Sequence, residues 1–129
     1  RLVAMQQMAW RGYETLLDNG PCFDEARALY AKTKLIFNWS LPDNTVCRVW
    51  EAMAMGKTLV TNYSTTLMDV FEDEIHYVGF SNMAEAVEKM EWLLKHDKTR
   101  KAIAQAGHRA VQPHTYDQRV RTILETIGL

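Results

Sequence analysis

Asp43, Asn44, Thr45, Arg48 and Glu51 lie in one short polar segment between two apolar runs, at a place where an anionic ligand could be held. The run Leu35-Ile36-Phe37-Asn38-Trp39 precedes them and Thr58-Leu59-Val60-Thr61-Asn62 follows. Both runs read as strands, so the segment between them is a loop and a helix that ends at Gly56. In an open α/β sheet such a loop sits at the carboxyl end of a strand, where ligands bind. A helix that starts there turns free N–H groups and the positive end of its dipole towards an anion. Asn44 and Thr45 read as the N-cap. Asn44, Arg48 and Glu51, spaced by four and then three, fall on one helix face. Val46, Val49, Trp50 and Met53 fall largely on the other. From spacing alone, Arg48 and Glu51 read as an i, i+3 surface ion pair worth little. Asp43 follows Pro42 and reads as a turn residue.

The surrounding elements support this placement. Leu2, Met5 and Ala9 suggest a short helix, broken by Gly12 and by the turn residues Asp18-Asn19-Gly20-Pro21. Asp24 caps an expected helix over 25–33, with Ala26, Leu29, Tyr30 and Thr33 on one face. A short helix is expected around Leu67, and Ile75-His76-Tyr77-Val78-Gly79-Phe80 reads as a third strand. Ser81 or Asn82 then caps a long helix with the stripe Met83, Val87, Met90 and Leu94. A further helix starts at Asp97 or Thr99 with Ile103, Ala106 and Ala110 inward. Pro113 interrupts, and a last helix carries Val120, Ile123, Leu124 and Ile127. Helices alternating with strands imply a parallel, doubly wound sheet. The expected fold is therefore α/β, a Rossmann-like three-layer sandwich with a small parallel sheet and C-terminal helices. An extra edge strand is expected in residues 10–22 unless the sheet is completed by chain outside this sequence. Trp39 and Trp50 are expected in the core.

The bulk numbers bound the function. The 129 residues suit one domain, here taken as 1–129, with 47% hydrophobic and 24% charged residues. A net charge of −1 gives no electrostatic case for a nucleic-acid partner. No apolar run has the length of a transmembrane segment. Cys22 and Cys47 lack CxxC spacing, and the four histidines, 76, 96, 108 and 114, lack ligand intervals. The reading is two reduced thiols in a cytoplasmic protein, with no metal site. The chain opens at Arg1 and reads as a fragment of something longer.

Two runs of the sequence resemble a known family. Leu29-Tyr30-Ala31-Lys32-Thr33-Lys34-Leu35-Ile36-Phe37-Asn38, and Arg48-Val49-Trp50-Glu51-Ala52-Met53-Ala54-Met55-Gly56 followed by Lys57-Thr58-Leu59-Val60-Thr61, are similar to the C-terminal half of GT-B glycosyltransferases. The likeness is to the glycosyl transferases group 1 type and to the group typified by the spore-maturation CgeB-like proteins. The tail Ala104-Gln105-Ala106-Gly107, then His114-Thr115-Tyr116 and Arg119, resembles the family's closing helices. The resemblance implies one half of a GT-B fold that binds a nucleotide-diphosphate sugar and transfers the sugar to an acceptor. It implies that Glu51 holds the ribose hydroxyls, since a carboxylate has two oxygens to accept both O–H bonds of a vicinal diol. It implies that the loop of Asn44, Thr45 and Val46 faces the diphosphate. Arg48 then neutralises the charge that grows there as the glycosidic bond breaks. Many members carry an acid eight residues before the ribose glutamate, commonly glutamate. Asp43 stands at that position and, with Arg48, is the candidate catalytic residue. The acceptor site belongs to an N-terminal domain absent from this chain, so the fragment alone is expected to transfer little. Family members generally need no metal, and no Asp-x-Asp pair occurs here.

A second reading is a non-catalytic Rossmann-like module for protein interaction or regulation. Receiver-like domains need acids at the ends of early strands, where this chain has Asn38 and Asn62. An oxidoreductase is disfavoured because no GxGxxG occurs.

Overall fold

The structure is a computed structural model that describes residues 2–15 and 24–129, with side chains in the first helix from residue 6 onward. The turn expected at 18–21, Cys22, the side chains of Leu2 and Met5, and part of the expected 10–22 edge strand lie outside the described residues. Residues 10–15 close the first helix and run on without strand structure.

Three parallel strands form the sheet in the order β1 (Leu35–Asn38), β2 (Thr58–Asn62) and β3 (Val78–Phe80). The register pairs Leu35 with Thr58 and Asn38 with Thr61, then Val60 with Val78 and Asn62 with Phe80. Parallel neighbours require crossovers, supplied by α3 (Cys47–Ala54) and by the short α4 (Thr65–Met68). Ahead of the sheet come α1 (Leu2–Trp10) and α2 (Asp24–Lys32). After it come α5 (Met83–Lys95), α6 (Asp97–Val111) and α7 (Tyr116–Thr126).

The alternation of strand side chains sorts the core into two layers. On one face Ile36 and Leu59 pack with Val49, Ala52 and Met53 of α3, Leu67, Phe71, Tyr77 and Val111. On the other, Val60, Val78 and Phe80 pack with Ala86, Val87, Met90 and Leu93 of α5 and Met8 of α1, with Leu35 and Phe37 against them. Helix α6 serves both layers, through Ile103 and Val111. It is also tied to the start of β2, where the buried Thr58 hydroxyl donates to the Arg100 carbonyl at 2.8 Å. This is the α/β three-layer arrangement read from the sequence.

Local signals behave as their chemistry requires at the end of α3 and the start of α5. Gly56 has φ +67°. Its N–H donates to the Met53 carbonyl and that of Lys57 to the Ala52 carbonyl, the hydrogen-bond pair of a Schellman termination. The Asn82 side chain accepts from the Glu85 amide at 3.0 Å and caps α5.

Several expectations are corrected. The third strand is shorter than residues 75–80, because residues 73–77 make a tight turn. Glu74 takes φ +61°, its N–H donates to the Tyr77 carbonyl at 2.7 Å, and Asp73 Oδ1 accepts from the Glu74 and Gly79 amides. Trp39 is not in the core: it is 44% exposed and tilts over Phe80 at the sheet's carboxyl edge, with ring centroids 5.4 Å apart. Trp50 is half-buried, at the margin of the α3 layer. The apolar residues of α7, Val120, Ile123, Leu124 and Ile127, are exposed. No helix among the described residues is long and apolar enough to cross a membrane.

Candidate functional site

Strands β1 and β2 both end in asparagine, and these two side chains organise the carboxyl edge of the sheet. Asn38 is 1% exposed. Its Nδ2 donates to Thr61 Oγ1 at 3.0 Å and to Ser40 Oγ at 3.3 Å, and its Oδ1 accepts from Arg48 Nη1 at 3.4 Å. Asn62 pairs with the backbone of Ser40 in both directions: its Oδ1 accepts from the Ser40 amide at 2.9 Å and its Nδ2 donates to the Ser40 carbonyl at 3.1 Å. A side chain thus adds one rung to the β1–β2 ladder and fixes where the chain leaves β1. A neutral amide suits this position because it supplies donor and acceptor together.

The loop between β1 and α3 is held at further points. Leu41 and Asn44 close a turn through the Asn44 amide at 3.1 Å. Asp43 takes φ +57°, a left-handed conformation that aspartate tolerates better than most residues. Its Oδ1 accepts from the Thr65 hydroxyl at 2.9 Å and from the Thr65 amide at 3.4 Å. Thr45 Oγ1 lies 3.5 Å from the buried Ser64 Oγ. The loops after β1 and β2 are therefore latched together.

Helix α3 begins later than the sequence suggests. Val46 is the N-cap, with φ −83° and ψ 157°, and no side chain caps the helix. Asn44 and Thr45 are loop residues rather than the cap, so Asn44 does not share a helix face with Arg48 and Glu51. The physical reason is that Asp43, Asn44 and Thr45 commit their bonds to the turn and to the neighbouring loop, so the helix opens only after the extended Val46. The amides that open α3 are those of Cys47 and Arg48.

Arg48 and Glu51 do not pair with each other. Among the described residues, the hydrogen-bond partner of Arg48 is Asn38, which draws the guanidinium to the end of β1. Arg48 also lines a cavity of about 690 Å³ that Tyr13, Tyr30, Phe37 and Met90 border along β1. Glu51 is exposed on α3, one turn further on. The geometry joins Asp43, Thr45, Arg48, Asn38 and Asn62 at one edge, with Val46 at the helix start. It can receive an anion at the opening of α3, with one cation beside it and a carboxylate along the same helix.

The start of α7 lies against this same helix. Arg119 sits over the Trp50 ring, 4.9 Å from its centroid, and Trp50 also packs on Phe71 and His114. The Tyr116 hydroxyl lies 3.9 Å from Cys47 Sγ, an exposed free thiol. That phenol is raised above its ordinary value, first by its contact with Cys47, then by the Cys47 charge, with a smaller push from the Glu51 carboxylate. Reading for chemistry in the sequence missed the network of Asn38, Ser40, Thr61 and Asn62. The visible signal was that two apolar strands each end in asparagine. Tyr116 carried no local signal; only its approach to α3 marks it. Among the described residues no group of three or more His, Cys, Asp or Glu side chains is placed to hold a metal ion.

Solved structures share this fold. HepE of Anabaena in complex with UDP and glucose is 20% identical and superposes with a TM-score of 0.68 over 78% of this chain. HepE in complex with UDP, and with UDP-glucose, each give 19% identity and a TM-score of 0.67 over 77% of the chain. The chain spans 29%, 28% and 28% of the respective HepE chains, under a third of their length. No curated protein matches it by sequence. The sequence profile described as "Glycosyl transferase-like" matches residues 6–125, nearly the whole chain, and the protein belongs to that family.

Proposed function

We propose that this chain is the donor-binding domain of a glycosyltransferase, one half of a GT-B fold, which holds a nucleotide-diphosphate sugar at the carboxyl edge of its sheet. The acceptor and its site belong to a further domain. The observation that carries the reading is the placement of Arg48: it sits in the first turn of α3, with its guanidinium drawn to the end of β1 by Asn38. Family membership supports it, as does the fold shared with a protein solved with UDP and UDP-glucose.

In this reading the diphosphate lies at the start of α3. It receives the amides of Cys47 and Arg48, the Arg48 guanidinium and the dipole of the helix. Asn44, Thr45 and Val46 form the wall it lies against. Glu51, exposed one turn along, accepts both ribose hydroxyls. As the sugar leaves, negative charge builds on the diphosphate, and Arg48 stabilises that charge more than it stabilises the intact donor. Asp43 faces the sugar. Its Oδ1 is committed to Thr65, and Oδ2 is the oxygen that meets a sugar hydroxyl. No resident metal is assigned, because Arg48 and the helix start take the phosphate charge. The exposed thiol of Cys47 and the use of a nucleotide sugar both suit the cytoplasm.

Titration calorimetry with UDP, GDP, their sugars and the free nucleosides tests this. Arg48→Ala should lower diphosphate affinity about tenfold or more, as for the loss of a charge-assisted hydrogen bond, and leave nucleoside binding nearly unchanged. Glu51→Gln should lower ribonucleotide affinity several-fold and leave 2′,3′-dideoxynucleotide binding as in wild type. Equal losses for nucleoside and diphosphate in Arg48→Ala would sink the assignment.

A further inference from the structure

Tyr116 is an aromatic residue at the surface, 80% exposed, at the first position of α7. Its place is nevertheless defined. The Thr115 side chain caps the helix by accepting from the Gln118 amide at 3.2 Å. Three residues beyond Tyr116, Arg119 clamps the same turn onto Trp50 of α3. These two contacts set the start of α7 across the opening turn of α3, and the Tyr116 hydroxyl arrives 3.9 Å from the side chain of Cys47, the first residue of that helix. Helical side chains lean towards the N-terminus, so Cys47 Sγ marks the mouth of α3, and Glu51, four residues on, lies on the same face.

A thiol is a poor partner for a phenol, and 3.9 Å is a long contact even for sulfur. The hydroxyl is a strong donor held beside the helix start by elements that do not depend on the thiol. Resting on the donor-site reading above, we infer that Tyr116 is a binding residue of the nucleotide site. It exchanges its contact with Cys47 for a hydrogen bond from its hydroxyl to a diphosphate oxygen at the opening of α3. The phenol remains protonated at neutral pH, so it can only donate there, and it adds no charge. The Arg48 guanidinium lies on the β1 side and Tyr116 comes from α7, so the anion is gripped from two sides of one helix end. The ligand class recognised by this hydroxyl is the diphosphate of a nucleoside diphosphate, whatever the base.

The experiment measures UDP and uridine affinity by calorimetry for wild type, Tyr116→Phe and Tyr116→Ala. It also measures the rate of Cys47 alkylation by iodoacetamide with and without UDP. Tyr116→Phe should weaken UDP about tenfold, as for the loss of one hydrogen bond to a charged oxygen. Uridine affinity should not change, and Tyr116→Ala should lose no more than Tyr116→Phe. UDP should slow alkylation of Cys47 several-fold in wild type. If Tyr116→Phe binds UDP as wild type does, the inference is overturned and the donor site stands. It is overturned equally if Tyr116→Ala loses uridine while Tyr116→Phe keeps it, since the ring would then be stacking on the base. If wild type binds neither UDP nor GDP, the donor-site reading fails and takes this inference with it.

Discussion

Replacing Asn38 by alanine removes a side chain that links the sheet interior to the candidate phosphate residue. Asn38 Nδ2 is 3.0 Å from Thr61 Oγ1, and Thr61 is itself 1% exposed. Deleting the amide leaves that hydroxyl with a remaining contact of 3.5 Å to the Asn62 carbonyl. A buried polar group without a partner costs about 1–3 kcal/mol. The cavity adds to that cost, so a loss of about 2–3 kcal/mol is expected, with the larger part from Thr61. At this chain length each kcal/mol lowers the melting temperature by roughly 3–6 °C. The effect on ligand binding is smaller, because the Arg48–Asn38 bond is long at 3.4 Å and Arg48 keeps its charge. UDP affinity should fall a few-fold, less than in Arg48→Ala. The decisive assay is a double-mutant cycle by urea denaturation and calorimetry. In an Arg48→Ala background, Asn38→Ala should still destabilise the fold but should no longer weaken UDP binding. Two results would contradict this coupling. One is a stability change within about 0.5 kcal/mol, the range of an ordinary surface substitution. The other is an equal loss of UDP affinity with and without Arg48, which would mean that Asn38 does not act through the arginine.

Two further predictions concern buried positions. A Cβ at Gly107 would overlap the His76 carbonyl oxygen and touch Met53 Cε at 3.4 Å. Gly107→Ala should therefore destabilise the protein in denaturant titrations, since overpacking costs about 1–3 kcal/mol against a helix-propensity gain of at most about 1 kcal/mol. The Tyr77 hydroxyl is buried without a hydrogen-bond partner among the described residues, and burial, then the charge of Asp73, pushes its phenol up to about 12. A raised folded-state value means the stabilisation is complete below the ordinary 10 and is lost as pH rises from 10 towards 12. Tyr77→Phe should flatten that alkaline loss in thermal melts and leave stability at pH 7 unchanged or up to about 1 kcal/mol higher.

Elements with a strong local cause were legible in the sequence. Gly56 ends α3 because a left-handed residue there completes the two closing bonds to Ala52 and Met53. Asn82 starts α5 because its side chain reaches the Glu85 amide. The apolar runs at 35–38 and 58–62 are strands, buried on both faces by helices whose stripes were visible as spacing. The parallel sheet followed from that alternation, and its carboxyl edge is where the candidate site was expected. Tertiary packing settled which partners the polar side chains bond. Thr45 reads as a local cap and Asp43 as a turn residue, but their side chains reach Ser64 and Thr65 in the loop after β2, and α3 starts at Cys47. Arg48 and Glu51 have pairing distance on a helix, yet Arg48 turns to Asn38, ten residues back in the chain and on a neighbouring strand. Tyr116 lies far from Cys47 in sequence and meets it where the start of α7 packs on α3, with Arg119 over Trp50. Spacing along the chain reports interactions within one element; hydrogen bonds between loops depend on which strand ends the sheet brings side by side.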